Sequence, residues 1–498
     1  MNYGQFLYMM PECALVIALI IVFAFDFAMT KSGEYRGEKP NVMLGRLTWF
    51  MLMSVGTAVL NAMRQEETIT AFGGMYVATQ AVNVMKMVLT FGTFIVVIMA
   101  DSWVETRQRI AGEFYMLILS TLLGMFVMMS SGNFLLFFLG LEMASVPMAC
   151  LVAFDKWKQN SAEGAAKYIL TATFSSGVML YGISFIYAAT GTLYFDGVTN
   201  ALSGLMYGII ASGDGALQSP ALAIMGLVFF FSGLGFKISL VPFHFWTADT
   251  YQGAPTPVTG YLSVISKGAA ALTLAIILLK VFQPLVMYWE YMLDIVIVLS
   301  ITVANLFAIR QSELKRFMAF SSISQAGYIM LAVLCNGATG VVALTYYVLV
   351  YIVANMAVFT VINVVEQKNG GRTDMAAYNG FYQTNPKLSF LMTLALFSLA
   401  GIPPFAGMFS KFFVFMAAAK QGSFAAYFVV FIALINTVVS LYYYLLIVKA
   451  MYITKTDSPL PTFKSDECTK IALGICTAGI VLFGIASCVY EWIASAVI

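Results

Sequence analysis

Several charged side chains lie within long apolar stretches of this sequence, where a charge is costly. Glu142 lies near the middle of one stretch, and Lys237, Lys267 and Lys411 lie inside three others. Each charge costs roughly 2.5–3.5 kcal/mol at the centre of a membrane helix, so it is kept only where it pairs, meets water or serves a function. Burial disfavours the charged form of amines and carboxyl groups, which favours proton exchange near neutral pH. A static ion pair that fixes helix packing is the alternative interpretation.

Three further side chains are secondary candidates. Lys167 follows Glu163 by four residues near a predicted helix start, the order that favours an intrahelical ion pair, so structural and modulating roles both stay open. His244 is the single histidine and lies in the sequence PFHFW at a predicted membrane boundary. A proton relay and a hydrogen-bonded structural role are both open for it. Gln325 follows three serines of one apolar run, and this polar group either lines a water path or joins neighbouring helices.

The composition limits the class of protein that can carry these residues. Of the 498 residues, 61% are hydrophobic and 10% are charged, whereas soluble domains have about 25% charged residues. This excludes soluble enzymes, nucleic-acid binders and disordered scaffolds. The six cysteines form no CxxC pair and there is one histidine, which argues against a disulfide framework, a metal site or haem ligation. The sequence therefore predicts an all-α polytopic membrane protein.

The apolar runs set the number of membrane spans. A helix that crosses a bilayer needs about 20 apolar residues. Fourteen such runs occur, at 10–30, 43–62, 84–100, 113–131, 133–154, 163–190, 221–246, 256–280, 287–309, 316–335, 340–365, 387–419, 423–453 and 469–491.

The basic residues predict the orientation of these spans, because cytoplasmic loops collect Lys and Arg. Eighteen of the 26 basic residues lie in odd-numbered connections, and four (Arg64, Lys86, Lys280 and Lys420) lie in even-numbered connections or at their helix ends. We therefore expect both termini on the periplasmic or equivalent side. We expect no soluble domain on either side, with connections of at most about twenty residues.

Two of the runs are interrupted near a lysine. The seventh contains Gly233, Gly235 and Pro242 around Lys237, and the twelfth contains the sequence GIPP before Lys411. Broken helices in matching positions indicate an ion site in transporters built from inverted repeats; a simple proline kink is the alternative. Helices 4–8 and 9–13 would form two inverted five-helix repeats, since five is odd. The predicted division is a three-helix segment at 1–112, repeats at 113–283 and 284–453, and a last helix at 454–498.

The chain resembles a known family in five stretches, which together extend from about Glu113 to Met451. They are FLGLEMASVP, EGAAKYILTATFSSG, GLGFKISLVPFHFWTADTYQGAPTPVTGYLSVISKGAA, KRFMAFSSISQAGY and LAGIPPFAGMFSKFFVF. These stretches resemble the antiporter-like membrane subunits of respiratory complex I and their Mrp antiporter relatives. Lys411 on the second broken run fits the L-type and N-type branches, and the absence of a long lateral helix after the last run favours the N-type.

The resemblance implies a proton-translocating subunit of NADH:quinone oxidoreductase in the bacterial inner membrane. Glu142 would pair with Lys237, Lys167 would modulate that pair, Lys267 would be the central relay, and Lys411 would pass protons to the far side. Gln325 stands where many relatives carry His, so a water chain would serve there. Quinone reduction elsewhere would shift the carboxylate, and the lysine that loses this partner would release a proton.

The same resemblance implies which groups this chain lacks and which partners it meets. It would hold no redox centre and no cofactor, while NAD, flavin, iron–sulfur clusters and quinone would lie in partner subunits. K-, J-, A- and M-type membrane subunits and membrane lipid would be its partners, with no nucleic acid. The alternatives are an Mrp-type cation/proton antiporter subunit and a structural spacer subunit that conducts nothing. Cation-dependent proton flux from the purified chain would favour the first, and unchanged pumping after replacement of Lys267 or Glu142 would favour the second.

Overall fold

The predicted all-α membrane fold is confirmed. The computed structural model describes residues 3–31, 39–65, 67–105, 110–212, 220–456, 459–486 and 488–497. Within these ranges, thirteen helices are long and apolar enough to cross a membrane, and the strands form one two-stranded hairpin. The predicted twelfth run is instead two shorter apolar helices in sequence, so the fourteen predicted runs all correspond to helical structure.

Among the described residues, the first half of the chain contains ten main helices, two short 3-10 helices (Tyr3–Met9 and Phe72–Gly74) and the hairpin. The helices are α1 (Met10–Lys31), α2 (Lys39–Met63), α3 (Gln80–Glu105), α4 (Ala111–Met129), α5 (Phe134–Val152), α6 (Gln159–Thr190), α7 (Phe195–Ser212), α8 (Ala221–Ile238), α9 (Trp246–Gly253) and α10 (Thr256–Val281). Strand β1 (Ile69–Ala71) pairs with β2 (Tyr76–Ala78) in antiparallel register, Thr70 opposite Val77.

The second half contains eight helices of more than four residues. They are α11 (Val286–Ile309), α12 (Leu314–Leu331), α13 (Ala338–Lys368), α14 (Pro386–Ala400), α15 (Ala406–Ala419), α16 (Phe424–Tyr452), α17 (Glu467–Ile485) and α18 (Cys488–Val497).

Two connections differ from the sequence prediction. The link between the sixth and seventh spans covers 191–220, longer than the twenty residues expected, and it contains the unpredicted helix α7. This helix is held against the end of α10, because Thr199 donates a hydrogen bond to the Lys280 carbonyl at 3.1 Å and Asp196 pairs with the Lys280 ammonium at 2.9 Å. The last predicted run, 469–491, contains a helix long enough to span a membrane, but this helix is shorter than the run, since α17 ends at Ile485 and α18 begins at Cys488.

The most buried helices are α10, α12 and α13, which lie at the centre of the bundle. Neighbouring helices surround these three helices, so most of their side chains are buried, including polar ones. Asn355 and Gln325 are 0% and 2% exposed. The centre of the protein is therefore the place where polar groups can be satisfied away from lipid.

Side-chain caps and glycines define several helix ends. Asn133 begins α5 by accepting a hydrogen bond from the Leu136 amide at 2.7 Å, and Glu313 begins α12 in the same way at the Arg316 amide. Such caps satisfy amides that have no partner in the first turn. Gly401 ends α14 with a φ of 89°, a left-handed conformation that glycine adopts without strain.

Both predicted breaks are present, and each lies beside a lysine. Helix α8 ends one residue after Lys237, and the chain turns through Ser239 before α9 begins. Helix α14 ends at Gly401, and Lys411 lies in the second turn of α15. A Cβ at Gly407 would overlap the Ser398 carbonyl, so the two halves of this broken span pack too closely for any larger residue.

A buried ion pair joins α1 to α3, which the sequence analysis did not predict. Lys86 was assigned to a helix end, but α3 begins at Gln80, and the Lys86 side chain is fully buried. Its ammonium lies 2.6 Å from the Glu12 carboxylate. Both groups also bond the Tyr76 hydroxyl at 3.2 Å, so the hairpin covers the pair.

Removing one partner of this pair should destabilise the protein more than removing both. Lys86→Met leaves the Glu12 carboxylate buried without a counterion, which costs about 3–5 kcal/mol. The double variant Glu12→Gln/Lys86→Met should recover most of that loss. Thermal unfolding of the purified chain in detergent measures both. Lys280→Met, which removes a largely exposed pair, is the control and should change stability by less than about 1 kcal/mol. Equal loss in the single and double variants would contradict the assignment.

Candidate functional site

Lys267 lies at the centre of the buried polar residues. It follows a π-helical turn, Leu262–Ser266, that widens α10; such turns occur often at functional sites. The Lys267 side chain is 1% exposed, and its ammonium donates a hydrogen bond to the Ser322 hydroxyl at 2.7 Å. The ammonium also lies 5.4 Å from the centre of the Tyr251 ring. A hydroxyl and an aromatic face therefore hold the predicted central lysine.

Further polar groups surround Ser322. Its hydroxyl donates to the Ser263 carbonyl at 3.2 Å and lies 3.3 Å from the Tyr251 hydroxyl. The Asn355 amide donates to the Ser263 hydroxyl at 2.6 Å. Helices α9, α10, α12 and α13 each contribute a side chain, so the polar cluster around Lys267 depends on the packing of all four.

A second polar group extends from Ser321 towards Lys411. The Ser321 hydroxyl lies 2.5 Å from the Tyr444 hydroxyl. Gln325 donates to the Tyr444 hydroxyl at 3.3 Å and accepts a hydrogen bond from the Tyr347 hydroxyl. The structure thus places the predicted auxiliary residue Gln325 between the central lysine and the second broken span.

Lys411 faces the break between α14 and α15. Its side chain is 4% exposed, and its ammonium donates a hydrogen bond at 3.1 Å to the Ala400 carbonyl, near the end of α14. Such carbonyls have no partner inside their own helix. The ammonium also lies 5.0 Å from the centre of the Tyr328 ring. Lys411 and Gln325 line one cavity of about 10 Å³, the space of a single water molecule.

Lys237 occupies the corresponding place at the first break. Its side chain is 5% exposed, and its ammonium donates to the Ser145 hydroxyl at 2.8 Å and the Tyr168 hydroxyl at 3.2 Å. It lines a cavity of about 10 Å³ together with Ser145 and Ser176. Ser145 is on α5, three residues after Glu142, so the first break faces the helix that carries the predicted carboxylate.

The Glu142 carboxylate is linked to this cavity through Ser176. It accepts a hydrogen bond from the Ser176 hydroxyl at 2.5 Å, and Ser176 lines the cavity. In this structure the Glu142 carboxylate is not within 4 Å of the Lys237 ammonium, so the two groups meet through the serines and the cavity rather than directly.

None of the three buried lysines has a carboxylate partner within 4 Å among the residues that the structure describes. Their partners are hydroxyls, aromatic rings and one backbone carbonyl. Two buried hydroxyls beside them, Thr247 and Ser266, have no hydrogen-bond partner in the described chain. Buried polar atoms in proteins are normally satisfied by protein or by ordered water.

Trp246 separates the Lys237 group from the Lys267 group. The centre of its ring system lies 5.2 Å from that of Tyr168 and 6.4 Å from that of Tyr251. Its indole N–H donates to the Phe236 carbonyl at 3.1 Å. Across the described part of the chain, no side-chain hydrogen bond joins Tyr168 to Tyr251. The polar row is therefore interrupted at this indole ring.

Lys167 lies outside this row, in an ionic cluster. Its side chain is 43% exposed, and its ammonium lies 2.6 Å from both the Glu163 and the Asp249 carboxylates. Asp249 also pairs with Arg316 at 2.5 Å. Partial burial acts to raise the pKa of Asp249, but hydrogen bonds from Lys167 and Arg316 outweigh it, and the pKa lies below its usual value. A structural role and a modulating role for Lys167 both fit its position in this cluster.

A neighbouring ionic cluster contains Glu366, which the sequence analysis missed. Its carboxylate lies 3.1 Å from the Lys158 ammonium and 4.0 Å from that of Lys315. Lys315 is 3% exposed and donates to the Ala254 carbonyl at 2.8 Å. Glu366 and Asp249 both lie outside apolar runs, and their partners are distant in sequence, so no local pattern indicates them.

His244 is 7% exposed in the turn between α8 and α9. Its ring centre lies 4.5 Å from that of Phe245. The structure places it near the first break but not in hydrogen-bond contact with Lys237 or Lys267.

Comparison with known proteins identifies the family. The model of the NADH:quinone oxidoreductase/Mrp antiporter transmembrane family matches residues 131–440. An NADH-quinone oxidoreductase subunit N from Phocaeicola vulgatus is 54% identical, over 99% of this chain and 98% of that protein. The chain belongs to the NADH-quinone oxidoreductase subunit N family. A subunit N from Azobacteroides pseudotrichonymphae is 46% identical over 99% of this chain and 98% of that protein.

Solved structures agree with this membership. A chain of respiratory complex I from Thermus thermophilus with bound aureothin is 30% identical, with a TM-score of 0.75 over 95% of this chain and 98% of that one. A chain of the Mrp complex from a Dietzia species has a TM-score of 0.81 over 100% of this chain and 97% of that one. It is 18% identical, so that likeness shows the fold alone. The relatives place this chain in a membrane subunit family of a bacterial respiratory oxidoreductase.

No group of three or more His, Cys, Asp or Glu side chains in the described ranges can hold a metal ion. In this member of the subunit N family, the candidate site consists of amines, hydroxyls and a carboxylate, which can bind and pass protons.

Asp249→Asn should weaken the ionic cluster around Lys167. A carboxyl group whose pKa is lower in the folded state stabilises the fold above its unfolded pKa of about 3.9, and that stabilisation disappears as the pH falls through the folded pKa. We expect Asp249→Asn to cost on the order of 1 kcal/mol at neutral pH. We also expect its melting temperature to depend less on acidification below about pH 4 than that of the wild type.

Thermal unfolding at several pH values measures both effects. Asp374→Asn is the matched control, since its pair with Arg372 is 49% and 66% exposed. If Asp249→Asn loses no more thermal stability than Asp374→Asn, the cluster does not stabilise the fold.

Proposed function

We propose that this chain is a proton-translocating membrane subunit of NADH-quinone oxidoreductase, driven by quinone reduction in other subunits. One observation carries the proposal. Lys237, Lys267 and Lys411 are at most 5% exposed, and their ammonium groups rest on hydroxyls and a carbonyl instead of carboxylates.

The energetic argument starts from the cost of these amines. An uncompensated charge at membrane depth costs roughly 2.5–3.5 kcal/mol, so three of them cost about 7.5–10.5 kcal/mol, comparable with the whole stability of many domains. A packing role is served at lower cost by Ser or Asn, which hydrogen-bond between helices without a charge. A packing role therefore does not explain why three costly amines are buried, whereas proton exchange with neighbouring hydroxyls or water does.

The contacts support an ordered path. Protons would pass between Glu142 and Lys237 through Ser176, Ser145 and a water molecule in the small cavity. They would cross the Trp246 interruption to reach Lys267, and continue through the Gln325 group to the cavity that Lys411 lines. Lys167 and His244 lie beside this path, where they would act on its electrostatics.

Coupling would work through the interaction between Glu142 and the lysine beside it. A change of about 2–3 kcal/mol in that interaction alters a proton-binding equilibrium about 100-fold. Redox work done in another subunit would supply this change by moving α5 or α8. Ser176 and Ser145 lie between Glu142 and Lys237. The two charged groups would therefore interact either through these serines or by direct contact.

The membrane arrangement follows from the charge distribution. We propose that both termini face the periplasm, because the connections rich in Lys and Arg lie on the opposite side. K-, J-, A- and M-type subunits would be the neighbours in the membrane, and NAD, flavin, iron–sulfur clusters and quinone would be bound elsewhere in the complex.

An Mrp-type cation/proton exchanger is the alternative, because the family model that matches this chain also includes Mrp antiporters. The likeness to the Mrp complex chain is at 18% identity, whereas the likeness to subunit N proteins reaches 54%. Flux measurements separate the two functions. Sodium- or potassium-dependent proton flux through the purified chain in liposomes would favour the exchanger, and proton transfer that requires NADH oxidation by the assembled complex would favour our proposal.

Lys267→Ala should block the path at its centre. Removing an intermediate acceptor adds more than about 1.4 kcal/mol to the barrier, which slows transfer through this subunit more than about tenfold. Proton pumping by the assembled complex in liposomes, driven by NADH oxidation and followed with a pH-sensitive dye, measures this. Lys420→Ala is the control, because Lys420 is exposed and remote from the row. Pumping that is unchanged in Lys267→Ala would support a spacer subunit instead.

Gln325 should need a polar side chain rather than its own amide. Gln325→Leu removes the hydrogen bonds to Tyr444 and Tyr347, and we expect pumping through this subunit to fall about tenfold. Gln325→His keeps a donor and an acceptor and should retain most of the activity. The same pumping assay compares the two variants at equal assembly levels. Equal activity in both would remove Gln325 from the path.

A further inference from the structure

A groove of about 1000 Å³ lies between α14 and α17, away from the polar row. Both helices begin at the same membrane face, since Pro386 starts α14 and Glu467 starts α17 directly after the 453–466 connection. The volume is at the upper end of the range for ligand sites, about 300–1,000 Å³.

One end of the groove is cationic. Lys387 in the first turn of α14, Lys470 in the first turn of α17, and Lys464 in the preceding connection all line it and are exposed. Among the described residues, no carboxylate lies within 4 Å of any of the three ammonium groups. Asp466 and Glu467 are adjacent in sequence but do not line the groove.

The deeper walls are apolar and small. Leu473, Gly474, Ala478 and Val481 follow Lys470 along one face of α17, and Leu391 faces them from α14. From position 470 to position 481 this wall extends about 16 Å along the helix axis, at 1.5 Å per residue. A Cβ added at Gly474 would meet no atom within 4 Å, so the small residues leave open space.

We propose that this groove binds one anionic phospholipid, with its phosphate at the three lysines and an acyl chain along the apolar wall. The charge complementarity argues for this occupant, because basic pockets between membrane helices bind anionic head groups. A quinone carries no anion for the three ammonium groups, and the phosphate of a zwitterionic lipid is already balanced by the cation of its own head group, so an anionic lipid complements the site best. The lysines belong to the face that we propose to be cytoplasmic, so the lipid would come from that leaflet.

Replacing the three lysines tests the charge. Phosphatidylglycerol is titrated into the purified full chain in detergent and retained lipid is counted by native mass spectrometry, with phosphatidylcholine as the neutral probe. At about 1 kcal/mol per lysine, Lys387→Gln/Lys464→Gln/Lys470→Gln should weaken phosphatidylglycerol binding about 100-fold. The control Lys156→Gln/Lys420→Gln/Lys449→Gln removes the same charge from exposed positions outside the groove and should leave binding within about twofold of the wild type.

Filling the groove tests the site itself. Gly474→Leu places a side chain in the open space and should displace the acyl chain while the lysines stay in place. Gly56→Leu is the matched control, because a Cβ at Gly56 also meets no atom within 4 Å. Melting temperatures close to that of the wild type confirm that both variants are folded.

Several outcomes would overturn the proposal. Phosphatidylcholine retained as tightly as phosphatidylglycerol, with the triple lysine variant unaffected, would show ordinary annular lipid. Retention of phosphatidylglycerol that survives Gly474→Leu would place the lipid elsewhere. Absence of any retained lipid on the wild type would leave the groove to another occupant.

Discussion

An amine in the interior of a membrane protein must be solvated by the protein, because lipid supplies no hydrogen-bond partners. The rest of this structure is arranged around that constraint. At Lys411 the solvation comes from a helix that stops in mid-membrane, because the interruption at Gly401 frees the Ala400 carbonyl to accept from the ammonium. Helix breaks at membrane depth are tolerated where protein or a cavity surrounds them, and here the central helices provide that surrounding.

Charges near one end of the bundle are treated differently from charges in its middle. Lys167, Arg316 and Asp249 form direct ion pairs, as do Lys158 and Glu366. Two of these pairs, Arg316–Asp249 and Lys158–Glu366, connect residues from the two predicted repeats. The amines of the row bond hydroxyls and one backbone carbonyl, which hold the ammonium groups in place without pairing their charge. Direct ion pairs and the amines of the row thus involve different residues.

The sequence predicted the members of the row but not its connections. A lysine in an apolar run can be recognised from the sequence alone. Lys237, Lys267 and Lys411 were predicted in this way, and all three are buried. Lys86 was misplaced, because α3 begins four residues before the apolar run does, and its partner Glu12 lies 74 residues away. The direct pairing of Glu142 with Lys237 rested on family resemblance, and the structure gives each group a serine partner instead. Asp249 and Glu366 are in polar segments, where a single carboxylate has no local signature. Pairing between distant helices is set by three-dimensional packing, which hydropathy does not encode.

The position of the Trp246 indole ring bears on whether protons could leak along the row. A row of groups that conducted at all times would short-circuit the membrane and dissipate the gradient that it serves to build. Because the Trp246 N–H donates to the Phe236 carbonyl and its ring lies against both Tyr168 and Tyr251, the row in this structure consists of two polar groups, which no side-chain hydrogen bond joins at these two tyrosines among the described residues. In the proposed proton path, passage between the two groups requires a rearrangement near the first helix break, so the indole ring would control when the path conducts protons.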